Sequence, residues 1–165
     1  MRFRYTELPG PTGKPSILEP VIRVWLVGPS GRFSLRMVVD SGAANTVVPA
    51  LALRKIGVPI SNDTVELVSF GGNVVARTAT VRIEFGGRFT FSTEVASVEG
   101  TASRFSVLGS RDFFLNYVVT LAARDRAFVI NPCGVASRVA IGPGTVGIDS
   151  IVDSSTCRRD SRRAL

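Results

Sequence analysis

"VVDSGAANTVV", residues 38–48, places the acidic Asp40 at the end of an apolar run and follows it at once with small residues. Val38 and Val39 are consecutive apolars. The expectation is therefore a strand buried on both faces, carrying a carboxylate out of the core into a Ser-Gly-Ala turn. A carboxylate taken from water is costly unless something uses it. A local alternative exists, in which Asp40 forms an Asx turn and only accepts hydrogen bonds from the backbone amides that follow. The triplet Asp-Ser-Gly alone does not decide between the two.

Around this stretch the hydrophobic pattern has a period of two. "VIRVWLV" (21–27) leads through "GPSG" into "RFSLRMVVD", where Phe33, Leu35 and Met37 share one face and Arg32, Ser34 and Arg36 the other, which predicts a hairpin. "VRIEF", Gly86-Gly87 and "RFTF" predict a second, with the glycines supplying the positive φ of a tight turn. "YVVTLAA" and "AFVI", joined by "RDR", predict a third. Only "PALALRKIG" (49–57), opened by Pro and closed by Gly, and "SRDFFLNY" (110–117) read as short helices. In the latter, Phe113, Phe114 and Tyr117 have the spacing of core residues. The class is all-β with one or two short helices.

The 165 residues, 45% of them apolar, suit one folded domain with a real core. Residues 1–20 are rich in Pro and Gly and read as an arm or extended strand, residues 21–130 carry the periodic signal, and residues 131–165 read as a Gly/Ser/Arg-rich flexible tail. "GPGTVG" (142–147) matches a nucleotide-binding fingerprint only by its glycines, because the strand and helix that such a site needs around it are missing; it reads as a turn in the tail. The basic "RRDSRR" near the end reads as a solubilising terminus.

Missing residue types exclude much chemistry. With no histidine, Ser-His-Asp and Cys-His nucleophiles and His-ligated metals are out. Cys133 and Cys157 are too few for a four-thiolate zinc site, so no metal or cofactor is expected; whether they pair or stay free is open. Two thiols, no secretory leader in "MRFRYTELPGPTGKP" and no apolar run long enough to span a bilayer lead to the expectation of a cytoplasmic protein without a membrane partner. The net charge of +7 comes almost wholly from arginine. These arginines alternate with apolars, as on the solvated face of strands, which argues against nucleic acid as a partner.

Three segments in order resemble the aspartic proteases of the retroviral type. "VVDSGAANTVVPALALRKIGV" is similar to their active-site segment, "VELVSFGGNVVARTATV" to their flap, and "FSVLGSRDFFLNYVVTL" (105–121) to their second hallmark, an apolar pair and a glycine before a short helix. The resemblance implies a retropepsin-like closed β-barrel, one lobe of a two-fold dimer, acting as an aspartic endopeptidase on a peptide or protein substrate. It implies Asp40 as the catalytic residue, Ser41, Gly42 and Ala43 as the active-site loop, and Leu108 and Gly109 as its support. Asn45, Phe70, Gly71, Gly72 and Asn73 would be substrate and flap residues. The family pairs an acidic residue after the Ala with an Arg after the second Gly, whereas this chain has Ala44 and Ser110 there. Arg111 and Asp112 follow one residue later, which implies a local insertion or a different brace, with Asn45 a candidate for it. A chain with one Asp-Ser-Gly needs an identical partner for a second carboxylate. Two other readings stay open: a non-catalytic binding or dimerisation module on this fold, and a nucleic-acid-associated fragment of a retroelement.

Overall fold

A computed structural model describes residues 1–10, 14–69, 72–100 and 106–133. The last turn of the supposed flap (Phe70, Gly71), the GPGTVG stretch, the RRDSRR end and the rest of the tail beyond Cys133 lie outside them. The chain is mainly strand. In order it forms β1 (Arg2–Arg4), β2 (Thr6–Leu8), β3 (Ile17–Glu19), β4 (Val21–Gly28), β5 (Gly31–Val39), β6 (Val47–Pro49), α1 (Ala50–Lys55), β7 (Thr64–Ser69), β8 (Gly72–Phe85), β9 (Phe89–Val98), β10 (Ser106–Leu108), α2 (Phe113–Asn116), β11 (Tyr117–Ala122) and β12 (Ala127–Pro132).

All three predicted hairpins are present. β4 and β5 pair from Val21↔Val38 to Gly28↔Gly31, so the alternation of β5 puts Met37 in the core and Arg32 and Arg36 in solvent. The β8–β9 hairpin closes at Phe85↔Phe89, with Gly86 and Gly87 at φ +59° and +74°. Its loop holds three residues rather than the two of a tight primed turn, because Arg88 stays outside the ladder. β11 and β12 are joined by a short 3-10 turn, Ala123–Asp125, that ends on Arg126 in the left-handed region, φ +49°. α1 follows Pro49 and stops before Gly57 at φ +71°, as Pro and Gly dictate.

The large sheet runs β4-β5-β10-β6-β9-β8-β7, and β4 also pairs with β8, so the pairings return on themselves. Inside lie Val24, Leu26, Met37, Leu53, Ile83, Leu108 and Phe128, each fully buried. Phe85, Phe89, Phe91, Phe113 and Tyr117 make a contiguous aromatic cluster with ring centroids 5.0–6.0 Å apart. Such pairs each add about 0.5–1.5 kcal/mol beyond their buried area. β1 pairs with β12, Phe3 stacks on Phe128 and the amino terminus bonds to the Ile130 carbonyl, so the opening residues of the chain complete a second sheet, β1-β12-β11.

One feature of this topology positions the Asp40 turn. β10 lies between β5, to which it is parallel, and β6, to which it is antiparallel. The chain leaving β5 at Asp40 must therefore pass over the end of β10 before entering β6.

Candidate active site

At that crossing the two sequence hallmarks meet. The Asp40 amide donates to the Leu108 carbonyl at 3.1 Å, the Ser110 amide to the Ala43 carbonyl at 2.8 Å and the Arg111 amide to the Ala44 carbonyl at 3.0 Å. Gly109 has to be glycine here. A Cβ on it would stand 2.8 Å from the Thr46 nitrogen and nearer still to the Asn45 carbonyl, and both are backbone atoms that cannot swing aside. Leu108 is wholly buried beneath the turn.

Side chains lock the same crossing. Thr46, fully buried, accepts a hydrogen bond on Oγ1 from the Gly109 amide at 3.0 Å. Asp112 accepts from the Thr46 amide at 3.0 Å and from the Thr93 hydroxyl at 2.9 Å, and its carbonyl accepts from the Asn116 side chain at 2.7 Å. Asp112 directly precedes α2, where an aspartate usually caps the helix, yet its carboxylate makes no cap bond and is given wholly to this latch. Asp112, Thr46 and Thr93 are thus the brace that stands where the resemblance implies an Asp–Arg pair. The Asn45 side chain takes no part in these bonds. Thr46 and Thr93 were missed in the sequence; the one signal for Thr46 was a polar residue directly ahead of an apolar strand.

Asp40 itself sits at the surface of the single chain. Its Oδ1 accepts from the Gly42 amide at 2.8 Å, and its carbonyl accepts from the Ala43 amide at 3.3 Å. The expectation of a strand end buried on both faces is not met. Val39 is buried but Val38 is half-exposed, because among the described residues that side of it borders an open cavity, and Asp40 is half-exposed with it. Ser41 and Gly42 are exposed and Ala43 is half-buried. Asp40 opens onto a cavity of about 400 Å³ walled by Leu8, Ile17, Val38, Val39 and Val107, with Glu19 at its side.

A second groove, about 460 Å³, lies on the other side of the turn. Its floor is Gly42, Ala43, Ala44 and Asn45, and its roof is the β7–β8 hairpin through Val65, Leu67, Val68 and Val74. Hairpin residues 72–76 pair with β7 alone, so this part of β8 projects beyond the main sheet. Val65, Leu67 and Val47 pack on Ala76, Ala96 and Val98, and Val68 and Val75 stand 78% and 71% exposed. Gly72, at φ +111°, begins β8. Asn73 donates to Glu66 at 2.6 Å and is not part of the groove lining. Among the described residues, no cluster of three or more Cys, Asp or Glu could hold a metal, and no helix is long and apolar enough to cross a membrane. Cys133, at the end of β12, is disulfide-bonded.

No model of a known protein family matches the chain, and no curated protein does. Among solved structures the chain is similar to the EIAV protease complexed with the inhibitor HBY-793, at 18% identity and a TM-score of 0.42, over 62% of this chain and 88% of that one. The likeness is weak. What the site can do has to be read from its own residues.

Proposed function

We propose that the chain is one subunit of a homodimeric aspartic endopeptidase, with residues 21–130 as its catalytic domain. The observation that carries the reading is the Asp40 turn, held by backbone and buried side-chain bonds at the edge of an apolar-roofed groove. Peptide hydrolysis by carboxylates needs two of them sharing one proton, one to take a proton from water and the other to polarise the scissile carbonyl. A second copy would bring its own Asp40 across a two-fold axis and close the retropepsin-like barrel into a two-lobed enzyme. The half-exposed Val38 and the exposed Ile17, at 44%, supply apolar surface beside Asp40 for that contact. Ser41 would brace the paired loops, Gly42 would let substrate backbone approach, and the β7–β8 hairpin would cover the bound peptide, with Phe70, Gly71, Gly72 and Asn73 as its candidate contact residues.

Asp40→Asn separates this reading from that of a non-catalytic module. Asparagine keeps the Oδ1 acceptor for the Gly42 amide and removes the charge, so folding and dimerisation persist while cleavage of an unstructured polypeptide falls to background. A statine-type inhibitor blocks the wild type, and specific activity falls on dilution as dimers dissociate. Glu19→Gln leaves cleavage in place, because the second carboxylate comes from the partner's Asp40. Activity that survives Asp40→Asn, or that persists where ultracentrifugation finds only monomer, overturns the proposal.

A further inference from the structure

On the outer face of β5-β4-β8, away from the Asp40 turn, arginines gather around the only tryptophan of the chain. Register puts Arg23 directly opposite Arg36, Val27 opposite Arg32 and Arg82, and Trp25 opposite Ser34 and Glu84. All of these project outward, since Val24 and Leu26 between them are wholly buried. Arg32 lies over the Trp25 ring at 4.7 Å. Arg88 joins from the β8–β9 loop, and with Arg23, Trp25 and Arg32 it lines an open groove of about 670 Å³. The single acid here, Glu84, is already paired with Arg82 at 3.2 Å.

Two like charges directly opposite each other across strands repel, and neither Arg23 nor Arg36 has an ion-pair partner among the described residues. Anions bound at the two guanidiniums relieve the repulsion. The guanidinium–indole stack beside them is a planar platform that accepts a base on its face while neighbouring arginines take phosphates. A lipid surface would need protruding apolar side chains, and none of the large exposed apolars, from Ile17 to Leu121, lies on this face. An acidic peptide would use the charges but leave the aromatic platform idle. We infer that this face binds single-stranded nucleic acid, with Trp25–Arg32 stacking a base and Arg23, Arg36 and Arg88 holding phosphates. The inference does not depend on the proteolytic reading.

The test titrates full-length protein with a single-stranded oligonucleotide. Quenching of the sole tryptophan reports on Trp25, and anisotropy of a labelled strand gives affinity over a salt series. Arg23→Ser with Arg36→Ser should make the log–log salt dependence shallower by about 1.4, at roughly 0.7 per phosphate contact. Trp25→Leu should weaken binding about 5- to 100-fold. Arg4→Ser with Arg124→Ser, basic positions outside this face, should change neither. If the double variant does not fold, Arg23→Gln and Arg36→Gln singly, each expected to lower the slope by about 0.7, decide instead. Unchanged affinity in the face variants overturns the inference and moves binding to the basic terminus or to bulk charge. Equal affinity for polyglutamate or phosphatidylserine vesicles also overturns it, as does absence of binding at low salt.

Discussion

The Asp40 turn and the β7–β8 hairpin face one groove, and they are held in opposite ways. The turn is short, irregular and exposed at its tip, yet it is bonded to the 108–112 segment through three backbone contacts and sits on the buried Thr46–Gly109 bond. The hairpin is regular, yet beyond its own ladder it rests on a small apolar cluster, Ala76, Ala96 and Val98, and leaves valines in solvent. Exposure therefore does not measure rigidity in this molecule. On the proposed reading, a carboxylate that does chemistry would be fixed by long-range bonds beneath it, while a cover that admits a ligand would keep few contacts with the core.

Gly109→Ala should break the comparison most severely. Its Cβ meets backbone of residues 45 and 46, so the turn must lift off β10 and the Thr46–Gly109 bond is lost with it. We expect a loss of about 3 kcal/mol or more, combining overpacking with an unsatisfied buried amide, and cleavage at background. Denaturant unfolding measures the first and a peptide assay the second. A fully stable Gly109→Ala protein would show that the turn is not tied down as described.

Thr46→Val is milder and more specific. It keeps the shape of the side chain but leaves the Gly109 amide without an acceptor inside the protein, at a cost of about 1–3 kcal/mol. Asp112→Ala should cost a similar amount, since it frees the Thr46 amide and the Thr93 hydroxyl together. Combining the two should give less than the sum, because both act on the same crossing.

That latch marks the limit of what the sequence could reveal. Period-two alternation gave the hairpins, and Pro and Gly gave the ends of α1, because these signals are local. Asp112 and Thr46 are 66 residues apart, and no local pattern joins them. The resemblance located the crossing and brought Arg111 and Asp112 beside it, but no local signal tied Asp112 to Thr46 and Thr93. The arginine face was hidden for a related reason. Alternation correctly sends Arg23, Arg32 and Arg36 to solvent, but only the register between β4 and β5 sets Arg23 against Arg36. Alternation alone, which speaks for a solvated face, does not carry that pairing.

Leu67→Ala tests the hairpin side of the comparison. Leu67 is half-buried, and it both packs on the small cluster and lines the groove. Stability should drop by about 1 kcal/mol, below the 2–5 kcal/mol of a core leucine. The larger effect should fall on KM for an apolar peptide, with the melting temperature shifted by only a few degrees. A cooperative collapse of the whole domain in this variant would erase the distinction between turn and cover.

The smallest effect is expected at Ser97, the counterpart of Thr46 among the buried hydroxyls. Both side chains are shielded from water, but Thr46 Oγ1 accepts the Gly109 amide whereas Ser97 Oγ, in the residue opposite Val48 in register, has no partner among the described residues. An unsatisfied buried hydroxyl subtracts from stability, so Ser97→Ala should remove a penalty without opening a cavity of any size. Alanine's weaker strand preference works the other way by a few tenths of a kcal/mol. The net expectation is a change between zero and about +1 kcal/mol in favour of folding, read as an unmoved or raised denaturation midpoint with the same m-value. Thr46→Val and Ser97→Ala each delete one buried hydroxyl from a strand or its edge, yet they should move that midpoint in opposite directions. A loss above about 1 kcal/mol for Ser97→Ala would mean that its hydroxyl has a partner after all, and the contrast between the two positions would fail.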